Sequence, residues 1–345
     1  MRLASGDAGY DRSRRMLFGS RFRWLTVLSL AVVLGLTLSA CVPPGELQPG
    51  AGIPEDTTLK IALLPIMDVL PFHVAQTNGY FADEGISVEG VPVKSGQENA
   101  TLMQTGQVDG QLTDLLGPVL FNQEEEKVKV VYTARRAYPD SPMFSIVAGP
   151  GGEIKASADL KGVPIGISQN TVIEYLTDRL LQAEGLSSED IEITEVSAIP
   201  VRFELLMKGE LPAAMLPDPL ASGAIAAGAT IVVDDSSHPE LAQSVLAFTT
   251  EALADKPGTV ASFVRAWDRA AAEINANPDA YKDLLIEVGR VPEMIQGSFG
   301  MPPFPEGSIT SESEMQDVVD WMVGKGLIEQ AVPYERLVDP GYLPL

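Results

Sequence analysis

The sequence predicts an α/β protein of two lobes, each built around a mostly parallel sheet, with further helices towards the C-terminus. Short apolar runs alternate with helical segments, and this alternation runs once to about residue 148 and then starts again. Alternating strands and helices favour parallel sheets covered by helices, and two successive sets favour two lobes. The 345 residues, 45% of them hydrophobic, suffice for two domains of ordinary size.

The first set consists of strand-like runs and two helical segments. The strand runs are short and either continuously apolar or alternating between apolar and polar residues. Both helical segments have a glycine near or just past their C-terminal end, Gly79 and Gly106, where glycine is preferred. The predicted strands are 59–66, 86–93, 110–115, 128–133 and 145–148, and the predicted helices are 71–81 and 97–105.

The second set repeats this order, and the C-terminal part then changes to helix. Gly185 and Gly209 mark the ends of its two helices. Asn277-Pro278 is expected to break the long helical stretch 257–289 in two. The predicted strands are 163–168, 191–196, 213–216 and 230–234, and the predicted helices are 172–183, one ending near 208, 257–289 and 311–325.

The N-terminal segment has the pattern of a secretory signal, to which residues 1–40 are assigned. Five arginines between positions 12 and 23 precede an uncharged run, 25–40, that is too short to span a membrane. Leu38-Ser39-Ala40-Cys41 resembles a bacterial lipobox, which implies a lipid on Cys41; an incidental cysteine after an ordinary signal is the alternative. The Pro- and Gly-rich residues 41–57 predict a tether. We therefore expect a lipid-anchored protein at the extracytoplasmic face of the cell membrane.

Composition and motifs exclude several classes of protein. The formal net charge of −23 repels phosphate backbones and argues against nucleic-acid binding. The single cysteine allows neither a disulfide nor a cysteine-based metal site, and the only two histidines, His73 and His238, are far apart in the sequence. The sequence has no Gly-x-Ser-x-Gly elbow, phosphate loop or dinucleotide fingerprint. We therefore expect no metal, no cofactor and no enzymatic activity.

Several segments, taken in order, resemble a known family. They are LKIALLP (59–65), FHVAQTNGYFADEGI (72–86), SGQE (95–98), GQVD (106–109) and DLKGVPIG (159–166). They resemble the type II periplasmic binding proteins of the nitrate, sulfonate, taurine and thiamine-pyrimidine-precursor group, over residues 59–335. The chain departs from this family at Pro212, where the second repeat would usually carry aspartate.

The resemblance implies two α/β lobes that are joined by two crossovers and close on a ligand like a hinge. Lobe 1 would comprise 58–147 plus 249–345 and lobe 2 would comprise 148–248, with crossovers near Val147–Pro150 and Leu246–Thr250. The resemblance also implies a monomer that captures a small organic solute and delivers it to an ABC permease. The solute would be a heterocycle, such as a thiamine pyrimidine precursor or a flavin, or a sulfonate. The acidity of the chain favours a neutral heterocycle over an inorganic anion.

The candidate ligand contacts lie at the carboxyl ends of strands, where open α/β sheets bind their ligands. Asp114 and Asp218 lie at or just past such ends. For Ser95 and for the polar run 168–171, helix capping is the alternative role. The resemblance implies five loops that face the cleft, and their candidate residues are Met67, Asp68, Ser95, Gln97, Thr113, Asp114, Gln169, Asn170, Thr171 and Asp218.

Three further residues are candidates outside these loops. Arg135 follows the fourth strand and could clamp a ligand carboxylate or sulfonate, with a solvated or interlobe salt-bridged arginine as the alternative. Tyr138 lies close to it in the sequence. His73, near the start of the first helix, could contact the ligand or titrate near neutral pH, with a partly buried helix position as the alternative.

Two other functions stay open at this point. The first is a structural or adhesive surface lipoprotein with a degenerate cleft, which a filled cleft would favour. The second is an enzyme like the pyrimidine synthases of this superfamily, which look iron-dependent and carry a cysteine cluster. The single cysteine and the export signal speak against that enzyme.

Overall fold

A computed structural model describes residues 55–344. The predicted signal segment 1–40, the predicted lipidation site Cys41 and all but the last three residues of the predicted tether 41–57 lie outside the described residues. In the part of the chain that is described, no helix is both long enough and apolar enough to cross a membrane.

Within residues 55–344 the strands and α-helices follow one another in short units, with single 3₁₀ turns between some of them. The strands are β1 Thr58–Leu63, β2 Ser87–Pro92, β3 Gly110–Asp114, β4 Val128–Arg136, β5 Phe144–Ala148, β6 Pro164–Ile167, β7 Glu192–Glu195, β8 Ala213–Pro217, β9 Thr230–Asp234 and β10 Gln243–Thr249. The helices are α1 Leu70–Thr77, α2 Tyr80–Asp83, α3 Gly96–Gln104, α4 Leu116–Phe121, α5 Val172–Ala183, α6 Ile199–Met207, α7 Leu220–Ala226, α8 Thr250–Asp255, α9 Pro257–Ala276, α10 Lys282–Val288, α11 Glu312–Gly324 and α12 Tyr334–Leu337.

The strands form two five-stranded sheets with the same plan. The first sheet has the order β2-β1-β3-β10-β4, and the second has the order β7-β6-β8-β5-β9. In the first sheet β1 pairs in parallel with both neighbours, as β6 does in the second. One strand in each sheet, β10 or β5, runs antiparallel to both of its neighbours. The predicted α/β fold with two lobes is confirmed.

The chain passes from the first sheet to the second between β4 and β5 and returns between β9 and β10. Both passages lie one strand earlier than the crossovers expected near Val147–Pro150 and Leu246–Thr250. β5 therefore joins the second sheet, although the expected bounds of lobe 1, 58–147, contain most of this strand. β10 joins the first sheet, although the expected bounds of lobe 2, 148–248, contain nearly all of it. An apolar run shows that a strand forms but not which sheet it joins, which explains the difference.

Two long helical predictions meet different outcomes. The helix predicted over 71–81 is divided into α1 and α2, because Gly79 between them has a φ of 76° in the left-handed region. The stretch 257–289 breaks at Asn277-Pro278 as predicted and yields α9 and α10.

The first lobe has an aromatic core under α9. Phe263 of α9 stacks on Phe81 with ring centroids 5.4 Å apart, and Trp267 on the same helix is fully buried. Burying a side chain of the size of Phe contributes about 1.5–3 kcal/mol relative to leaving it exposed. This packing fixes α9 and α1 against the sheet whose strand ends carry the predicted loops.

The C-terminal segment contacts both lobes. Trp321 of α11 meets Tyr175 of α5 edge to face, with ring centroids 5.5 Å apart, within one apolar cluster. Beyond α12, Val338 forms a β-bridge with Val130 of β4 in the first sheet. Residues 312–338 therefore link the lobes in addition to the two crossovers.

The first described residues are fixed at the amino end of the first sheet. Glu55 Oε1 accepts hydrogen bonds from the backbone N–H and the hydroxyl of Thr259, at 2.6 and 2.8 Å. Lys256 pairs with Asp56 at 3.3 Å and with Asp109 at 2.9 Å. The chain therefore enters the body beside the start of β1, at the edge opposite the loops that follow β1 and β3.

Candidate functional site

Loops of both lobes meet at two cavities. The larger one, here the crossover cavity, has a volume of about 780 Å³ and is lined mainly by Arg135, residues 138–142, Asp218, Ser222 of α7 and residues 295–303. The smaller one, here the loop cavity, has a volume of about 210 Å³. It is lined by faces of α3 and α4, by Gln111, Thr113 and Asp114, and from the other lobe by Asn170 and Thr171.

Arg135 is engaged within the protein. Its Nη1 lies 3.0 Å from Oδ1 of Asp68, and the two side chains are only 4% and 5% exposed. Among the described residues, no other basic side chain lines either cavity. Breaking a buried ion pair leaves an uncompensated charge, so separating Arg135 from Asp68 would be costly. Arg135 is thus neither solvated nor in an interlobe salt bridge, which were the alternatives to an anion clamp: it forms a buried pair with a residue of its own lobe.

Three further carboxyl groups lie at the cavities or close to Arg135. Asp218 accepts hydrogen bonds from the N–H and the hydroxyl of Ser222, at 3.0 and 2.9 Å. Asp114 accepts from two N–H groups at the start of α4, and Asp235 accepts from two at the start of β5. Burial raises the pKa of all three, that of Asp235 to about 7, and these hydrogen bonds offset only part of the rise. The site is therefore rich in carboxyl groups and poor in positive charge.

The polar loop before α5 presents few free donors. The N–H of Gln169 donates to Glu195 at 2.7 Å, and the N–H of Asn170 donates to Glu174 at 2.6 Å. Thr171 caps α5 by accepting a hydrogen bond from a backbone N–H in the first turn, at 3.2 Å. N–H groups at a helix N-terminus commonly bind anions. Here carboxylates of the protein occupy the N–H groups of Gln169 and Asn170, which lie just before the helix.

The structure brings about half of the predicted contact residues to a cavity. Asp68 does not line a cavity, but it forms an ion pair with Arg135, which lines the crossover cavity. Tyr138 lines the crossover cavity, and burial raises the pKa of its hydroxyl. The predicted residues at the loop cavity are Thr113, Asp114, Asn170 and Thr171, and those at the crossover cavity are Arg135, Tyr138 and Asp218.

Three predicted residues from the strand-end loops line neither cavity because they have other structural roles. Met67 is fully buried, and its Cγ lies so near Gly289 that a Cβ there would be 2.7 Å away. Ser95 and Gln97 are exposed, and Ser95 caps α3 by accepting from the N–H of Glu98 at 3.2 Å. Capping, given as the alternative for Ser95, is thus its role in the structure.

Two further predicted residues also lie away from the cavities. Gln169 has an exposed side chain, and only its backbone N–H takes part in the hydrogen bonds of the loop, by donating to Glu195. His73 is partly buried on α1 and meets Phe72 edge to face with ring centroids 5.5 Å apart. Burial lowers the pKa of His73, and the nearby carboxylate of Glu287 opposes this only in part.

Gln111 is a residue of the loop cavity that the sequence analysis missed. Its side chain is 2% exposed, and its Nε2 has no hydrogen-bond partner in the protein. Its neighbours across β3 are Ala62 and Ala247, whose small side chains leave space beside it. A buried amide without a partner is costly, so Gln111 is suited to bind a polar group of a solute. The signal in the sequence is a glutamine next to a buried leucine in the short predicted strand 110–115.

A family model described as NMT1/THI5 like matches residues 66–281. The chain belongs to this family. In this NMT1/THI5-like protein, the matched residues include the whole lining of the loop cavity and the lining of the crossover cavity except for residues 295–303.

Relatives of this NMT1/THI5-like protein have different activities. The riboflavin-binding protein RibY of Chloroflexus aurantiacus is 25% identical over 318 residues, which cover 84% of this chain and 87% of RibY. The periplasmic aliphatic sulphonate binding protein SsuA from Escherichia coli has a TM-score of 0.70 at 17% identity, covering 82% of this chain and 97% of SsuA. The desulfurization enzyme DSZB has a TM-score of 0.63 at 17% identity, covering 83% and 97%. Binding proteins and an enzyme thus share this fold.

Proposed function

We propose that the protein is the extracytoplasmic solute-binding component of an ABC importer. The observation that supports this most is that loops at the strand ends of two linked lobes line common cavities. In such a molecule the solute binds between the lobes, closure buries it, and the closed form docks on a permease. A signal segment 1–40, a lipid on Cys41 and a monomeric state complete the proposal.

The charges at the site favour a neutral organic solute over a sulfonate or nitrate. Arg135 is paired with Asp68, and the N–H groups before α5 are occupied by Glu174 and Glu195. An anion would also meet the nearby carboxyl groups that the raised pKa values already mark as poorly solvated. A heterocycle such as a flavin or a thiamine pyrimidine precursor would avoid this repulsion. The riboflavin-binding relative supports the same class of solute.

Binding without turnover is the second part of the proposal. Three carboxyl groups at or next to the cavities are held by hydrogen bonds or an ion pair: Asp68 by Arg135, Asp114 by N–H groups of α4, and Asp218 by Ser222. A general acid or base must be free to exchange a proton with the substrate. These groups are better suited to shaping the site.

A ligand screen tests the proposal. The melting temperature of the purified protein would be measured with riboflavin, pyrimidines, thiamine, taurine, alkanesulfonates and nitrate. A ligand at 100 times its dissociation constant adds about 2.7 kcal/mol of stability. We expect a heterocycle to raise the melting temperature, small-angle scattering to show compaction, and mass spectrometry to return the ligand unchanged.

Four results would contradict the proposal in different ways. Stabilisation by an alkanesulfonate or nitrate alone would refute the neutral solute. A chemically altered ligand would refute binding without turnover. A hit without compaction in small-angle scattering would refute closure, and the absence of any hit would count against solute binding as a whole.

A further inference from the structure

Asn170 has a backbone conformation that non-glycine residues rarely adopt. Its φ is 59°, and Arg290 is the other non-glycine residue with a positive φ in the described part of the chain. Asparagine tolerates the left-handed region better than most residues, but this conformation persists only where contacts with the surrounding protein stabilise it. With Thr171, Asn170 forms the contribution of the second lobe to the loop cavity.

Glu174 supports Asn170 from the first turn of α5. Its Oε2 accepts the N–H of Asn170 at 2.6 Å, and its side chain is only 5% exposed. Its other oxygen, Oε1, lies 2.6 Å from Nζ of Lys325. Removing one partner of a buried ion pair leaves an uncompensated charge, so Lys325 is what holds Glu174 in place against the loop.

Lys325 belongs to a different part of the chain. It follows the last residue of α11, and its Nζ also lies 3.0 Å from Asp178, which accepts the indole N–H of Trp321 at 2.9 Å. Burial lowers the pKa of Lys325, but its hydrogen bonds to Glu174 and Asp178 outweigh this, and the pKa lies above its ordinary value. Lys325 is therefore a cation at neutral pH and lines neither of the two cavities described above.

We propose that Lys325 is a positioning residue for solute binding, which acts through Glu174 to fix the conformation of Asn170 at the loop cavity. The proposal rests on the proposed function, since it takes Asn170 as part of the solute site. It assigns a role to the C-terminal helix α11, which determines the shape of a cavity that it does not line.

The test uses residue-resolved amide hydrogen exchange on the purified protein, because this readout needs no ligand. In Lys325→Met we expect the amide of Asn170 to exchange at least about tenfold faster, which corresponds to about 1.4 kcal/mol. Riboflavin serves as the probe of affinity, and its dissociation constant is expected to rise by a similar factor. Lys325→Arg keeps the cation and should preserve both properties.

A double variant separates positioning from general packing. In Lys325→Met/Glu174→Gln, the neutral glutamine needs no cation but can still accept the N–H of Asn170, so the protection of that amide should return. Asp178→Asn is the matched control, because it alters the contact between α5 and α11 but leaves the pair of Glu174 and Lys325 in place.

Two results would overturn the proposal. The first is an unchanged exchange rate of the Asn170 amide in folded Lys325→Met. The second is an equal acceleration in Asp178→Asn and Lys325→Met without rescue by Glu174→Gln, since this pattern indicates lost packing alone. If riboflavin and the other compounds of the screen fail to bind the unmodified protein, the proposed function fails, whereas the exchange rates still decide the role of Lys325.

Discussion

Asp235 connects the pH dependence of stability to one buried carboxyl group. It is fully buried, and its oxygens accept the N–H groups of Met143 and Phe144 at 2.9 and 3.0 Å. Burial raises its pKa to about 7, whereas an aspartate in an unfolded chain has a pKa of about 3.9. Between these values the native state holds a proton that the unfolded state has released, so the free energy of unfolding falls as the pH rises.

The expected effect of Asp235→Asn follows from this difference. One such proton changes the free energy of unfolding by up to about 1.4 kcal/mol per pH unit, or about 3 kcal/mol in all between pH 4 and pH 7, where the native carboxyl group is half ionised. Asparagine does not titrate in either state, so the variant lacks this pH dependence. It should be less stable than the unmodified protein at pH 5, because an asparagine amide places a donor against one of the two N–H groups. By pH 7 the deficit should have shrunk by about 2 kcal/mol.

Denaturant unfolding at pH 5, 6 and 7 measures this effect. Asp279→Asn, at an exposed position, is the control and should keep the pH dependence of the unmodified protein. The reasoning would be refuted if Asp235→Asn lost unfolding free energy between pH 5 and pH 7 as steeply as the unmodified protein does.

Three other substitutions have expected outcomes. Arg135→Met should lower the free energy of unfolding by about 3–5 kcal/mol in denaturant titrations, because it leaves Asp68 buried without a cation. Gln111→Met should keep or raise the melting temperature, because the amide nitrogen it removes has no partner, yet weaken binding of the solute found in the screen by about tenfold in calorimetry. Gly166→Ala should cost about 1–3 kcal/mol in denaturant titrations, because the added Cβ would lie 2.7 Å from Leu211.

Each of these substitutions has a matched control. Lys60→Met breaks an exposed ion pair and should change the free energy of unfolding by less than about 1 kcal/mol. Gln97→Met lies at an exposed position away from the loop cavity and should leave affinity unchanged. Gly324→Ala meets no atom within 4 Å and should not destabilise. If one of the three substitutions changed stability or affinity no more than its control does, the contact given as its cause would not contribute measurably to that property.

The positions of strands and helices follow from local patterns, but the partners of the strands do not. α5 begins where the polar run before it predicts, since Thr171 caps the helix through its own side chain. β5 was assigned to the wrong lobe because it inserts as an antiparallel strand into the second sheet. The strand β10 was not predicted, and it inserts in the same way into the first sheet. Pairing of this kind depends on residues about 100 positions apart, which no window of sequence contains.

The candidate site shows a similar division. Asp114 and Asp218 each line a cavity because each lies at the carboxyl end of a strand of its own sheet, and their contact with a solute stays a prediction. For Ser95 the sequence left ligand contact and helix capping open, because a polar residue before a helix serves equally well as a cap. Gln111 was missed as a residue of the loop cavity because its suitability for binding depends on whether its amide has a hydrogen-bond partner in the protein, which only three-dimensional packing decides.

The attachment of Glu55 to Thr259 fixes where the described body would join a lipid anchor, if Cys41 carries the proposed lipid. This contact lies at the amino end of the first sheet, whereas the cavities lie at the other end of its strands. Fourteen residues, 41–54, can span at most about 50 Å when fully extended. A body of this size has a diameter of about 50 Å, from a radius of gyration of about 19 Å. Under the proposed function, the number of residues before Glu55 would therefore limit how far the cavities can rotate towards a permease, and we expect a deletion there to impair delivery while leaving solute affinity intact.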